Sequence, residues 1–391
     1  MYYSVLHCNA AKSILFCAAI LTLDSVVIIS RMKLDKIPSE QIGSIPRTDE
    51  LIKAYLNYCE GRLTYSELNK MAEKETSQVM HELEALGCEV LSDGEQRKFD
   101  GFAHYCLHHS PRFGPEGLVV DFSDGHKRLF APHLCKAPFK YEHTADEFLA
   151  FAIKQTSKPV KQAVISPSML SLVYPPNGLE GYSHQQFIND LIKEHVSEVK
   201  RCLALGAHKV QIDFTEARLS LKLDPSGGML QSFVDLINTC LAEFSRSERQ
   251  RIGVHTCPGA DIDATHSAEI DYKHLLPTLF NIKAGCFYVA LRGEQEPKKV
   301  LRLLGSIIKP SQKVFIGVTN PIDPNIETAE DIRDLILMAA NFIPVSQLGT
   351  TDDCGFSPFA DDISTARGIA YQKISARLAG TKLAEQVLSG R

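Results

Sequence analysis

At 391 residues and 44% apolar content, the chain has ample core for one large domain or two ordinary ones, which excludes a disordered polymer. A formal charge of -5 with both signs mixed along the chain lacks the basic face that nucleic acid or an anionic membrane needs, leaving a small-molecule partner. The 11 cysteines are scattered through apolar stretches such as Arg201-Cys202-Leu203, which excludes a disulfide framework and fits a reducing, cytoplasmic compartment.

The chain begins with a mostly apolar stretch, Ser13 to Ser30, interrupted by Asp24. Only Ile14 to Leu23 is free of charge, too short to span a bilayer, and there is no clear small-residue cleavage site, so residues 1–38 read first as an extended or mispredicted start, with an interfacial or targeting segment as the alternative and a true span the least favoured. From about residue 40 a short apolar strand, a polar loop and an amphipathic helix alternate. The candidate strands are Gln41 to Ser44, Glu89 to Ser92, Val160 to Ile165, Lys209 to Asp213, Arg251 to His255, Gly285 to Leu291, Lys313 to Val318 and Val345 to Leu348. Helical spacing is clearest in Tyr65 to Leu86, His184 to Leu205, Leu230 to Phe244, Pro297 to Ile308, Ala329 to Ala340 and Ser364 to Ser389.

This rhythm predicts an α/β fold, a closed (β/α)8 TIM-type barrel over residues 39–391, with its reactive groups at the carboxyl ends of the strands. An open doubly wound sheet shares the alternation, but no Gly-x-Gly-x-x-Gly follows the first strand, no Walker-type Gly-Lys-Ser appears, and Pro225-Ser226-Gly227-Gly228 reads as a turn. The stretch 98–158, after the second strand, is too long for a connection. With a strand-like piece at Gly117 to Phe122, it reads as an inserted lid or subdomain.

The chemistry concentrates in two motifs. Val254-His255-Thr256-Cys257-Pro258 closes the fifth strand, where side chains two apart point the same way, and Asp353-Cys354-Gly355 follows the last. His255, Cys257 and Cys354 make a three-ligand nitrogen and sulfur set for Zn2+, the count of a catalytic site with its fourth position open. Glu294 is a candidate fourth ligand, its alternative a solvated loop glutamate beside Arg292 and Lys298. Asp261 and Asp263 either orient His255 or cap a helix. Three more strand ends aim polar groups at the barrel mouth: Ile42-Gly43-Ser44, Asp93-Gly94-Glu95, and Gln211-Ile212-Asp213 with Glu216. Acids for an ammonium, and amides with a hydroxyl for a carboxylate, suit a zwitterionic amino acid.

Together these residues resemble the C-terminal catalytic barrel of cobalamin-independent methionine synthase, within the uroporphyrinogen decarboxylase and methionine synthase superfamily. The likeness runs from about residue 40 to 385, through Ile42-Gly43-Ser44-Ile45-Pro46-Arg47-Thr48, Gly87 to Glu95, Lys158 to Leu170, Gln211-Ile212-Asp213 with Ala217-Arg218, and the zinc motifs. The resemblance implies zinc on His255, Cys257 and Cys354, the homocysteine ammonium on Glu95 and Asp213, and its carboxylate at Ile42, Gly43 and Ser44. It implies methylation of homocysteine or a similar thiol through a zinc-bound thiolate, as a step of methionine biosynthesis. Three features depart from the family pattern. Cys286 to Leu291 lacks the usual zinc-ligating glutamate, Ile322 stands where a proton-donating histidine is usual with Asp323 as the nearest acid, and there is no tryptophan for a pterin shelf, Tyr174 being the closest local aromatic. The donor is therefore open between a methylated folate or other methyl carrier and, as in related epoxyalkane thiol transferases, an epoxide or other electrophile. A non-catalytic zinc-binding barrel is the third reading.

Overall fold

In the computed structural model the described residues are 36–99, 101–259 and 265–390. The N-terminal apolar stretch, Asp261 and Asp263 lie outside them. The first regular strands, β1 (Phe113–Asp121) and β2 (Lys127–Leu134), form an antiparallel hairpin within the stretch read as an insertion, and β1 covers most of the strand-like piece anticipated there. Then follow β3 (Gln162–Ile165), β4 (Val210–Asp213), β5 (Ile252–Thr256), β6 (Cys286–Val289), β7 (Lys313–Thr319) and β8 (Leu348–Asp352). These six form one parallel sheet in chain order. Every residue of β3, β4, β5, β6 and β8 is buried, as befits strands covered on one face by crossover helices and packed on the other against one another's side chains.

The sheet is closed by two extended segments. Leu91 bridges Val160 beside β3, Ser39 bridges Thr350 in β8, and both bridges are parallel. The segments meet where the Ile45 N–H donates to the Gly94 carbonyl at 3.0 Å and Ser92 Oγ donates to the Gly43 carbonyl at 3.0 Å. The ring of the (β/α)8 barrel is thus present, with six members as regular strands and two as bridged segments. Expected strands at Gln41 to Ser44 and Glu89 to Ser92 are the two that shrink. Pro38 and Pro46 cannot donate to a ladder, and residues 43 to 45 use their backbone on the neighbouring loop instead.

The eighth strand also differs from expectation. Val345–Gln347 is a turn of 3-10 helix, held by Gln347 Nε2 donating to the carbonyls of Lys309 and Gln312 at 2.8 and 2.7 Å. The strand proper starts at Leu348 and runs through Thr350, Thr351 and Asp352, all buried. Around the sheet, helices occupy Tyr65–Ala85, His184–Ala204, Ala329–Ala340 and Arg367–Leu388 among others. The first three begin at capping boxes, on Thr64 with Glu67, Ser183 with Gln186 and Thr328 with Asp331. Among the described residues no helix is long and apolar enough to cross a membrane, and the nine described cysteines are free.

Candidate metal centre and amino-acid pocket

His255 is paired in register with Asp213 on the adjacent strand, so their side chains leave the sheet on the same face. Asp213 Oδ1 lies 3.2 Å from His255 Nδ1 and accepts from Gln211 Nε2 at 2.7 Å. The imidazole is therefore fixed through one nitrogen. Its Nε2 is buried with no protein partner. Cys257 follows the end of β5, and Cys354 lies two residues past β8, with the two sulfurs 3.1 Å apart. One ligand atom from each of His255, Cys257 and Cys354 lies within 4.8 Å of the others, and all three residues are buried.

Burial on its own would lower the His255 pKa, but Asp213 and Cys354 outweigh it and push it up to about 10. The Cys257 sulfur first, and burial second, push the Cys354 thiol well above its ordinary value, with His255 opposing them. Two sulfurs face an imidazole that a carboxylate holds from behind, all within one buried site. A metal cation in place of the ring proton would satisfy all three groups. The three residues therefore fit a metal ion.

Glu294 is not brought into this group. Its carboxylate accepts from Arg218 Nη2 at 2.8 Å, and burial raises its pKa. What packs against both cysteines from the end of β6 is Ala290. Between them Asp353 acts as a brace. Its Oδ1 accepts from the Leu291 and Arg292 amides at 2.7 and 2.9 Å, and its Oδ2 from Gly293 at 2.7 Å. Burial pushes this carboxyl up to about 7 against those three amides. A Cβ on Gly317 would sit 1.9 Å from Asp353 Oδ1, so the brace requires glycine there.

The residues expected to hold an amino acid do converge. Ile42, Ser44, Glu95, Asp213, His255 and Cys354 line one small cavity, and Gly43 backs directly onto Glu95 Oε1. Ser44 is stitched to the segment after Cys354: its carbonyl accepts from the Phe356 amide at 3.0 Å and its Oγ from the Ser357 amide at 3.1 Å. Glu95 adopts a positive φ of 58° and is buried. Burial raises its pKa, and Lys98, whose Nζ donates to Glu95 Oε1 at 2.9 Å, opposes that. Glu216 stands apart from the cavity. Its Oε1 accepts from Ser166 and Ser168 Oγ at 2.5 and 2.6 Å.

Sequence reasoning missed three parts of this site. The first is the role of Asp213 behind His255, whose signal was the shared position of the two residues at adjacent strand ends. The second is Lys98, fully buried against Glu95. The third is an aromatic wall: Phe102, Phe122, Phe130, Phe359 and His266 line a cavity against Cys257 and Cys354. Two of these rings come from the hairpin, where a Ser123-Asp124-Gly125 turn between apolar runs was the available clue. Tyr174 is occupied elsewhere, donating to the Tyr182 carbonyl at 2.7 Å and packing on Phe187. Asp323 accepts from the Asn325 amide in its own turn at 2.9 Å.

Residues 37–366 match the family model described as cobalamin-independent synthase, catalytic domain. A 5-methyltetrahydropteroyltriglutamate–homocysteine methyltransferase from Trichodesmium erythraeum is 23% identical over 89% of this chain, which spans 45% of that protein. A methionine synthase from Sulfurisphaera tokodaii is 22% identical, with 91% of this chain and 94% of that one aligned. Among solved structures, a B12-independent methionine synthase from Shewanella, in complex with selenomethionine, superposes with a TM-score of 0.71 at 19% identity over 91% of this chain and all of that one. That likeness carries the barrel fold.

Proposed function

The chain belongs to the family of cobalamin-independent synthase catalytic domains, and from that premise we propose that it is a zinc-dependent, cytoplasmic methyltransferase acting on the thiol of homocysteine or a similar amino acid in methionine biosynthesis. The observation that carries this reading is the convergence of His255, Cys257 and Cys354 within 4.8 Å beside a cavity lined by Glu95, Asp213 and Ser44. These three ligands would hold Zn2+, which supplies the charge that keeps an incoming thiol deprotonated near neutral pH.

The remaining work falls to the chain. Asp213 holds the His255 ring through Nδ1 and so leaves Nε2 aimed at the sulfurs. Glu95 and Asp213 offer carboxylates to the substrate ammonium, with Lys98 partly offsetting the first. Ile42, Gly43 and Ser44 offer backbone and hydroxyl groups to its carboxylate. The phenylalanine wall excludes water from the reacting sulfur. The sulfur lone pair then forms the new S–C bond as the bond from that carbon to its leaving group breaks and the leaving group keeps the pair. No covalent enzyme intermediate is needed, only positioning.

Residues 39–391 act in this reading as one catalytic unit, with 98–158 as its lid, since Phe122 and Phe130 reach the cysteines from there. The partners are a thiol and a methyl or alkyl donor, without nucleic acid. A second reading keeps the thiol chemistry and replaces the methyl donor by an epoxide or another activated carbon. It is favoured by Ile322, an apolar residue in the cavity beside the cysteines, where a methylated folate would call for a proton donor. The test is to incubate the zinc-loaded protein with homocysteine and a methylated folate, then other methyl carriers, then epoxides, and to weigh the thioether formed. A methylated product supports the first reading and a hydroxyalkyl product the second. No thioether from any donor would return the chain to a non-catalytic zinc-binding barrel.

A further inference from the structure

Beside the cysteines, at the ends of β5, β6 and β7, opens a cavity of about 340 Å³. Pro258, Ala290 and Asp353 form its wall toward the metal centre: the first follows Cys257 in the chain, the last precedes Cys354, and Ala290 packs against both sulfurs. Arg218, from the helix Glu216–Leu223, lines the same cavity. It is 1% exposed, with its guanidinium carbon 3.9 Å from the centroid of the Tyr272 ring. One nitrogen, Nη2, donates to Glu294. Nε and Nη1 have no partner.

By count of charges the cavity is acidic, yet its carboxylates are already engaged. Glu269 pairs with Lys222 at 2.8 Å, Asp271 with Lys273 at 3.3 Å, and Glu296 with Lys299. Asp353 is filled by three backbone amides, and Glu294 holds Arg218 itself. The unmade hydrogen bonds therefore belong to a cation. A buried guanidinium with two idle donors is an oxyanion receptor, because Arg matches carboxylate and phosphate and cannot shed its charge.

We propose that Arg218 anchors a carboxylate or phosphate group of the alkyl-donating substrate, which lies in this cavity with its reactive carbon toward the cysteines. Assigning the anion to the donor rests on the thiol-alkylation reading, since that reading puts the acceptor amino acid in the separate cavity lined by Ile42 and Ser44. The anion site itself does not rest on it. A volume of about 340 Å³ suits a small organic anion or the head of a larger one.

Calorimetric titration of the full chain at low salt with glutarate and with inorganic phosphate tests this. Saturable binding of at least one is expected, and which one names the group. In Arg218→Gln the binding weakens tenfold or more. In Glu294→Gln, which removes the competing charge while leaving an amide oxygen for Nη2, it tightens severalfold. Cys354→Ser removes the metal centre yet retains the anion site, so a failed alkylation assay and a failed anion site are told apart. The inference is overturned if neither anion binds saturably, or if folded Arg218→Gln binds as well as the parent. Should Arg218→Gln not fold, unchanged or weaker binding in Glu294→Gln overturns it equally.

Discussion

Two of the buried polar clusters in this barrel are built on opposite principles. In the first, Glu40 accepts from Tyr288 OH at 2.6 Å and pairs with Lys209, while Lys161 lies 4.0 Å from it and donates to Gln211 Oε1 at 2.8 Å. Burial would raise the Glu40 pKa, but His208, Lys209 and Lys161 hold it well below the usual carboxylate range. No side-chain polar atom of Glu40, Lys161, Lys209 or Tyr288 lacks a partner. In the second, His255 Nε2 has none, and Arg218 nearby has two idle donors. A closed network stabilises the barrel, whereas unpartnered groups that line a cavity, as His255 and Arg218 do, mark a place where something else binds.

The most severe way to break this contrast is to remove a sulfur. Cys257→Ser and Cys354→Ser are expected to lose both bound zinc and thiol alkylation while the barrel stays folded, read by metal content per chain, turnover and circular dichroism. Zinc retained at parental stoichiometry in both variants would dissolve the metal centre.

Glu40→Gln attacks the other cluster. It leaves Lys161 and Lys209 buried without their counter-charge, a change expected to cost about 3–5 kcal/mol. The folded fraction should bind zinc as before. Denaturant unfolding together with metal analysis checks the pair of outcomes, and a loss of zinc without a loss of stability would invert the assignment of the two clusters.

A smaller effect is expected from Asp213→Asn, which preserves size but gives up the charge behind His255. Metal affinity or activity should fall about 10–100-fold, the usual consequence of disturbing the partner of a ligating histidine. Competition with a chelator measures it. An unchanged affinity would mean that Asp213 serves the substrate alone.

Much of the barrel and the grouping of the three candidate metal ligands was legible in the sequence, because both follow from local periodicity. His255 and Cys257 share a strand end two residues apart, and Cys354 with its glycine sits just past another. The last strand was misplaced because Thr350, Thr351 and Asp352 are buried without being apolar, so hydropathy reports nothing. Asp352 is satisfied there by Arg377 and Thr319, which lie far from it in the chain. For the same reason Asp213 was assigned to the substrate alone: its approach to His255 is set by register between strands, which no single segment encodes. The aromatic wall was hidden by the hairpin, whose Phe122 and Phe130 reach the cysteines only once residues 113–134 fold back over the barrel.

Glu198 sharpens the contrast by supplying an intermediate case. Its Oε1 accepts from Tyr105 OH at 2.9 Å and from the Ala145 amide at 2.7 Å, while Oε2 is buried and unpartnered. Here the orphaned atom calls for a proton rather than a ligand. Burial raises the pKa to about 7, against those two hydrogen bonds and Lys98. The folded state therefore keeps the proton that the unfolded chain releases near its ordinary carboxylate pKa, and the stability so gained is present at low pH and lost as pH rises toward 7. Glu198→Gln retains an oxygen for both donors and carries no charge to desolvate, so it should be more stable than the parent by roughly 1–3 kcal/mol at pH 8. At pH 5 the gap should nearly close. Denaturation midpoints at the two pH values decide it, and a gap that is equal at both, or wider at pH 5, would mean that the Glu198 carboxylate is ionised in the fold after all.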